Sequence, residues 1–232
     1  MVILHNLKCG CVVETDPESQ VLRSKAKCKT HAPIQVHHDA HYFTELLSGM
    51  KDGIPQAYIQ IVELEEPLAA MGVKLVKTAK LFATVLDIGC GLGYYAPLWL
   101  RLGFSYSAIE PSEFAARFAR CTYDVLVDNL TFEEYKTSKR FDVICSSHAF
   151  EHMFDAPAML AKAFSLLKPG GQIILNLPDD GDLCNPDHMW FFTPATLEAL
   201  LKKIGFVDIR MTTRQRVERE LFIYTYAQKP AI

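Results

Sequence analysis

Blocks of apolar residues alternate with amphipathic stretches from about residue 80 to the end of the chain. Residues 81–89, LFATVLDIG, form a short apolar run ending in glycine, which predicts a buried strand. Residues 94–103, YYAPLWLRLG, predict a helix closed by Gly103. SYSAIE (105–110) predicts a second strand, and EFAARFARC (113–121) a helix opened by Pro111 and Ser112. YDVLV (123–127) and FDVICSS (141–147) predict a third and a fourth strand. MLAKAFSLLK (159–168) reads as a helix stopped by Pro169, Gly170 and Gly171, and GQIILNLP (171–178) as a fifth strand. A helix follows over TPATLEALLKKIG (193–205), with Thr193 as N-cap and Pro194 in its first turn. FVDIRMTTR (206–214) and ELFIYTYAQ (220–228) suit a closing β-hairpin. Strands alternating with helices of this length predict an α/β fold: a parallel sheet covered on both faces, with one antiparallel strand added by the hairpin. Ligands of such sheets sit beyond the carboxyl ends of the strands.

The first 80 residues read differently. Residues 1–41 hold five of the eight histidines (His5, His31, His37, His38, His41) and three of the seven cysteines, with little apolar periodicity. They predict a small separate N-terminal segment over 1–40. Residues 41–79 read as a helical lid, with Ile59, Val62 and Leu68 on one face and Pro67 ending or kinking the helix. Residues 80–232 are the main domain.

Composition narrows the function. A net charge of -3 disfavours a large nonspecific nucleic-acid or membrane surface, both of which need positive excess. No apolar run reaches the ~18 residues of a bilayer span. Seven scattered cysteines do not suggest a disulfide framework, so the expected location is the cytoplasm. Arg210, Arg214, Arg216 and Arg219 cluster in the hairpin but alternate with Glu218 and Glu220, which reads as a solvated face.

The main chemical signal is Asp87-Ile88-Gly89-Cys90-Gly91-Leu92-Gly93, between a strand and a helix. Glycines let the turn adopt positive φ and let a ligand approach the backbone. The helix start offers unpaired N–H groups. Asp87 would repel a pyrophosphate and attract an ammonium. Glu110 ends the second strand 23 residues later, where a carboxylate can accept from both hydroxyls of a ribose. Asp128, Asn129 and Leu130 follow the third strand, where an adenine amino group could be bound. Gly91-Leu92-Gly93-Tyr94-Tyr95-Ala96 also fits a looser dinucleotide fingerprint, but Asp87, the closing hairpin and the short spacing to Glu110 oppose it.

Taken together, the Asp-x-Gly-x-Gly-x-Gly loop, the acid ending strand two, the Asp after strand three and the LLKPGG before strand five resemble the class I S-adenosylmethionine (SAM)-dependent methyltransferases, from about Leu81 to Gln228. The resemblance implies a Rossmann-like seven-stranded sheet of order 3-2-1-4-5-7-6 with strand 7 antiparallel. It implies SAM as cofactor, contacted by Asp87, Gly89, Cys90, Gly91, Gly93, Tyr94, Glu110, Pro111, Ser112, Asp128, Asn129, Leu130, Ser147 and His148. Cys90 also reads as a small filler, and Tyr94 as packing on either the cofactor or the helix.

Two segments are candidates for the acceptor side. After strand four, Phe150-Glu151-His152 resembles the Leu-Glu-His turn of small-molecule methyltransferases; Glu151 and His152 are candidate catalytic groups, or else cap the local helix. After strand five, His188-Met189-Trp190-Phe191-Phe192 follows a ten-residue polar loop and resembles a segment of methyltransferases acting on sugars and other small metabolites. In nucleotide-sugar C-methyltransferases a histidine of this segment, within a His-Glu-His motif, is taken as the base; here the chain reads Pro186-Asp187-His188. No Asn-Pro-Pro-Tyr signature follows strand four, which argues against an amino-methylating DNA or glutamine enzyme.

Cys9 and Cys11, then Cys28 and His31, offer four zinc ligands in two pairs, although the Cys9–Cys11 gap is tighter than usual. The alternative is a set of free thiols and surface histidines. The expected function is SAM-dependent O- or C-methylation of a small-molecule acceptor, with a sugar or biosynthetic intermediate among the candidates. The alternatives are a non-catalytic SAM-binding module and an RNA or DNA methyltransferase that uses the N-terminal segment for recognition. No oligomeric state follows from the sequence.

Overall fold

The first strand of the main domain, β4 (Thr84–Ile88), is buried at four of its five positions because helices cover both faces of its sheet. The computed structural model describes residues 4–6, 12–15, 19, 22–26, 64–73, 83–179, 188–217 and 220–231. Among these, β1 (Leu4–Asn6), β2 (Val12–Thr15) and β3 (Leu22–Ala26) precede β4. After it come α1 (Ala96–Arg101), β5 (Ser105–Ile109), α2 (Glu113–Tyr123), β6 (Leu126–Asp128), β7 (Phe141–Ser147), a 3-10 turn (Phe150–His152) and α3 (Ala156–Leu166). The chain then forms β8 (Leu167–Pro178), β9 (Trp190–Phe191), α4 (Pro194–Ile204), β10 (Val207–Val217) and β11 (Glu220–Gln228).

Seven strands make the main sheet in the order β10-β11-β8-β7-β4-β5-β6. Numbered from β4, that is 3-2-1-4-5-7-6, the expected order. β4 pairs in parallel with β5 and β7, and β11 runs antiparallel to β8. Side-chain alternation divides the core. Leu86, Ile88 and Ile109 face α3 and α4, packing with Leu160, Ala163, Leu197 and Leu201. Val85, Tyr106 and Ala108 face α1 and α2, packing with Trp99, Ala116 and Ala119.

The helix boundaries follow local chemistry. Ser112 caps α2 by accepting from Ala115 N–H, and Asp155 caps α3 through Ala158 N–H. Thr193 and Thr196 form a reciprocal capping box on α4, which ends at Gly205 with φ 111°. Residues 64–70 are helical three residues beyond Pro67, so the proline does not end the helix; its carbonyl accepts from Met71 N–H. Leu64 and Leu68 enter the core on the α1 side. Of the expected solvated arginine face, Arg210 and Arg214 are described: Arg214 pairs with Glu66 at 2.8 Å and Arg210 with Asp208 at 2.8 Å, while Glu218 and Arg219 lie outside the described residues.

The N-terminal strands show what the sequence patterning did not. β1, β2 and β3 form an antiparallel meander whose last strand pairs with β9, making a second, four-stranded sheet. Among the described residues no helix is long and apolar enough to cross a membrane.

Candidate functional site

The glycine loop lies at the carboxyl end of β4. Gly89, Gly91 and Gly93 have φ of 71°, 53° and 77°. Gly89 is also fixed sterically, since a Cβ there would lie 2.6 Å from Ala149 Cβ. The cofactor loop therefore touches the turn that carries Glu151 and His152.

Neighbouring strand tips are laced together around the loop. Glu110 accepts from Gly91 N–H and from Ser112 N–H, each at 2.8 Å. Asn129 Nδ2 donates to the carbonyls of Glu110 and Pro111, each at 2.9 Å. Glu110 N–H donates to Asp128 at 3.0 Å. Burial pushes the Glu110 carboxyl above its usual range, against the pull of those two N–H groups. Asp128 and Asn129 are exposed, and Leu130 is half-buried.

Asp87 shares a face with Tyr106 and Glu110 on β4 and β5. It is 1% exposed, and its Oδ2 accepts from Tyr106 OH at 2.7 Å. Burial raises its pKa to about 6, against hydrogen bonds from Tyr106 and Cys145; the charge of Glu110 adds to the rise. Asp87 thus underlies the loop and adds negative potential beneath it. Cys90 is half-buried, and burial pushes its thiol up, so it is not a thiolate nucleophile. Tyr94 packs with Leu92 and Ala115 against α2.

On the acceptor side the structure joins what the sequence kept apart. The chain turns sharply after β7, with His148 at φ 53° and its N–H donating to Asn176 at 2.9 Å. Ser147 Oγ accepts from Asn176 Nδ2 at 3.2 Å. Glu151 is fully buried, 3.4 Å from His148 Nδ1 and 3.9 Å from His152 Nε2. His188 is 6% exposed, with its ring 5.1 Å from that of His152. Met189 N–H donates to Glu151 O at 2.8 Å and Trp190 Nε1 to Met153 O at 3.0 Å, which fixes this segment on the 3-10 turn. Burial pushes the Glu151 carboxyl up. The nearby His148 imidazole and the charges of His152 and His188 outweigh it and hold the pKa at about 2. One ligand atom each from Glu151, His152 and His188 lies within 4.8 Å of the others, a spacing that can hold a divalent cation.

Sequence reasoning missed Tyr106, whose position two residues before Ala108 on the Asp87 face was the available signal. It also missed Asn176 and Phe222, whose ring packs edge-on against His148 at 4.9 Å. Cys9, Cys11, Cys28 and His31 lie outside the described residues, as does Asp187.

Residues 61–210 match a family model described as a methyltransferase domain. The ubiquinone biosynthesis O-methyltransferase of Rhodopseudomonas palustris (strain BisB5) is 30% identical over 146 residues, covering 53% of this chain and 58% of that protein. The mitochondrial protein of the same name from Homo sapiens is 28% identical over 149 residues, covering 52% of this chain and 40% of its own length. The chain thus spans about half the length of these curated relatives. Among solved structures, Haemonchus contortus phosphoethanolamine N-methyltransferase 2, in complex with phosphomonomethylethanolamine and S-adenosylhomocysteine (SAH), superposes with a TM-score of 0.62 at 16% identity, covering 75% of this chain and 53% of that one. Magnesium protoporphyrin IX methyltransferase from Synechocystis PCC 6803 with bound SAM gives 0.60 at 17%, covering 81% and 89%. At these identities the structural likeness shows the fold.

Proposed function

The chain belongs to the class I SAM-dependent methyltransferases, and from that premise we propose that it methylates an oxygen of a small-molecule acceptor. The single observation that carries this is the His152–Glu151–His188 cluster, beside the glycine loop at the carboxyl ends of β7 and β8. The relatives named as O-methyltransferases support oxygen as the acceptor atom.

The residues present fit the cofactor. Glu110, at the tip of β5, has the carboxylate chemistry to accept from two ribose hydroxyls, and Asn129 and Leu130, after β6, would hold the adenine edge. Asp87 provides negative potential for an ammonium. When bound, SAM supplies an activated methyl group, and the protein supplies position and electrostatics. Tyr94, Pro111, Ser112, Ser147 and His148 belong to the wall of that site. With SAM bound, His188 or His152 would take the proton of the acceptor hydroxyl. Glu151 stabilises the imidazolium so formed. A hydroxylated biosynthetic intermediate, a sugar among them, fits this chemistry.

The test is methyl transfer from radiolabelled SAM to a panel of phenols, catechols and sugar nucleotides. Label on oxygen, lost in His188→Ala or His152→Ala while SAH affinity holds, supports the reading. Failure of the wild-type chain to bind SAH sinks it.

We further propose a structural zinc on Cys9, Cys11, Cys28 and His31. The register pairs Asn6 with Val12 and Val12 with Ala26, so the end of β1, the start of β2 and the end of β3 lie at one end of the meander, next in sequence to the four residues. Three sulfurs and one imidazole form a closed tetrahedral donor set, leaving no position for catalysis. Elemental analysis should find about one zinc per chain, lost in Cys28→Ser. A folded, metal-free wild type refutes it.

A further inference from the structure

β9 is two residues long, far below the length at which a strand sustains itself, yet it begins two residues after His188. One side of the segment is held by the 3-10 turn, through Met189 N–H to Glu151 and Trp190 Nε1 to Met153. The other hold is β3, with Leu22 opposite Phe191 and Arg23 opposite Trp190. Side chains along a strand point to alternate faces. Trp190 and Phe192 accordingly join the core beneath the sheet. Phe191, on the opposite face, is only 2% exposed and yet belongs to none of the three core clusters of described residues. Ser19, in the β2–β3 connection, is buried as well.

We infer that the N-terminal meander is a positioning element of the acceptor site: by pairing with β9 it holds His188 against Glu151 and His152. The acceptor role of His188 rests on the function proposed above; the clamp itself does not. The chain of contacts runs from β3 through β9 to Met189 and the Glu151 carbonyl, so releasing the β9 edge loosens His188 first. The proposed cofactor side is built from the tips of β4, β5, β6 and β7 and the loops that follow them, and none of these strands pairs with the meander. The meander therefore governs acceptor geometry and leaves SAM binding alone.

The test uses the full chain. Successive N–H groups along a strand point to opposite neighbours, so of Leu22→Pro and Arg23→Pro one removes a donor from the β9 edge and the other from the β2 edge. Hydrogen exchange is followed at 189–192 and at β4–β5, with SAH affinity by calorimetry. One variant should speed exchange at 189–192 by about tenfold or more, with β4–β5 protection retained. SAH affinity should stay within about threefold, and methyl transfer to any acceptor found should fall. Unchanged protection at 189–192 in both variants overturns the inference, whatever the acceptor proves to be. Loss of SAH affinity with β4–β5 still protected overturns it too, by making the meander part of the cofactor site. Wild-type chain that binds no SAH defeats the functional reading and leaves the clamp standing on its exchange data. If both proline variants fail to fold, Phe191→Ala carries the same readout, and unchanged protection there is equally fatal.

Discussion

Gly89 is where cofactor loop and acceptor turn meet, and replacing it by alanine tests that contact. Its φ of 71° costs an alanine about 1–2 kcal/mol. The new Cβ would lie 2.6 Å from Ala149 Cβ, a stub with no rotamer to escape into, so backbone must move. Such overpacking costs about 1–3 kcal/mol, which makes Gly89→Ala about 2–5 kcal/mol less stable. Ala149→Gly alone removes one methyl and should cost about 0.5–1 kcal/mol. The double variant relieves the clash and keeps the strain at φ. Urea unfolding of the four proteins should therefore give a coupling of about 1–3 kcal/mol in favour of the double variant. SAH affinity should follow, falling in Gly89→Ala and partly returning in the double. A coupling below about 0.5 kcal/mol would mean that loop and turn move independently, and the claim that they form one site would fail.

Three further outcomes follow from buried carboxylates. Glu110→Gln replaces an acceptor of two N–H groups by an amide with one acceptor; SAH should bind about 10- to 100-fold more weakly by calorimetry, and wild-type affinity would refute the ribose assignment. Asp87 ionises at about 6 when folded and near 3.8 when unfolded, so its contribution to stability is full below about pH 4 and is lost as pH rises through 6. Asp87→Asn, which keeps an acceptor for Tyr106, should thus be more stable than wild type by up to about 3 kcal/mol at pH 7.5 and weaker in SAM binding; equal urea midpoints for the two proteins at pH 7.5 would refute this. Glu151 has the opposite sign: its pKa falls from 4.5 to about 2, so its contribution is present above pH 4.5 and lost as pH falls through 2. Glu151→Gln should lose stability at neutral pH and about tenfold or more in methyl transfer, with SAH affinity unchanged; full turnover would remove Glu151 from the acceptor side.

The cofactor half was legible in the sequence because its signals are local. A strand, a glycine turn and a helix start occupy residues 84–101 without interruption, and Glu110 and Asp128 recur at the next two strand tips. The capping residues Ser112 and Thr193 could likewise be read one helix at a time. The acceptor half was not legible as a unit. Glu151 and His188 stand 37 positions apart, and no local pattern places their side chains in one cluster. The N-terminal strands were missed for a related reason. LHN, VVET and LRSKA are too short and too polar to show a period of two, and their pairing is settled by partners elsewhere in the chain.

That contrast has a consequence for specificity. Most of the proposed cofactor residues come from the continuous run from β4 to the tip of β6, so substitutions outside it should leave them largely intact. The acceptor wall draws on three distant segments: the turn after β7, the stretch around His188, and the meander that grips β9. Each can change independently without disturbing the glycine loop, except where Ala149 presses on Gly89. A chain of this family can therefore take a new acceptor by altering the meander while keeping the Glu151–His152 turn. In this chain the edge between Arg23 and Trp190 is where such a change would act, because there the N-terminal sheet pairs with the strand that follows His188, the base proposed above.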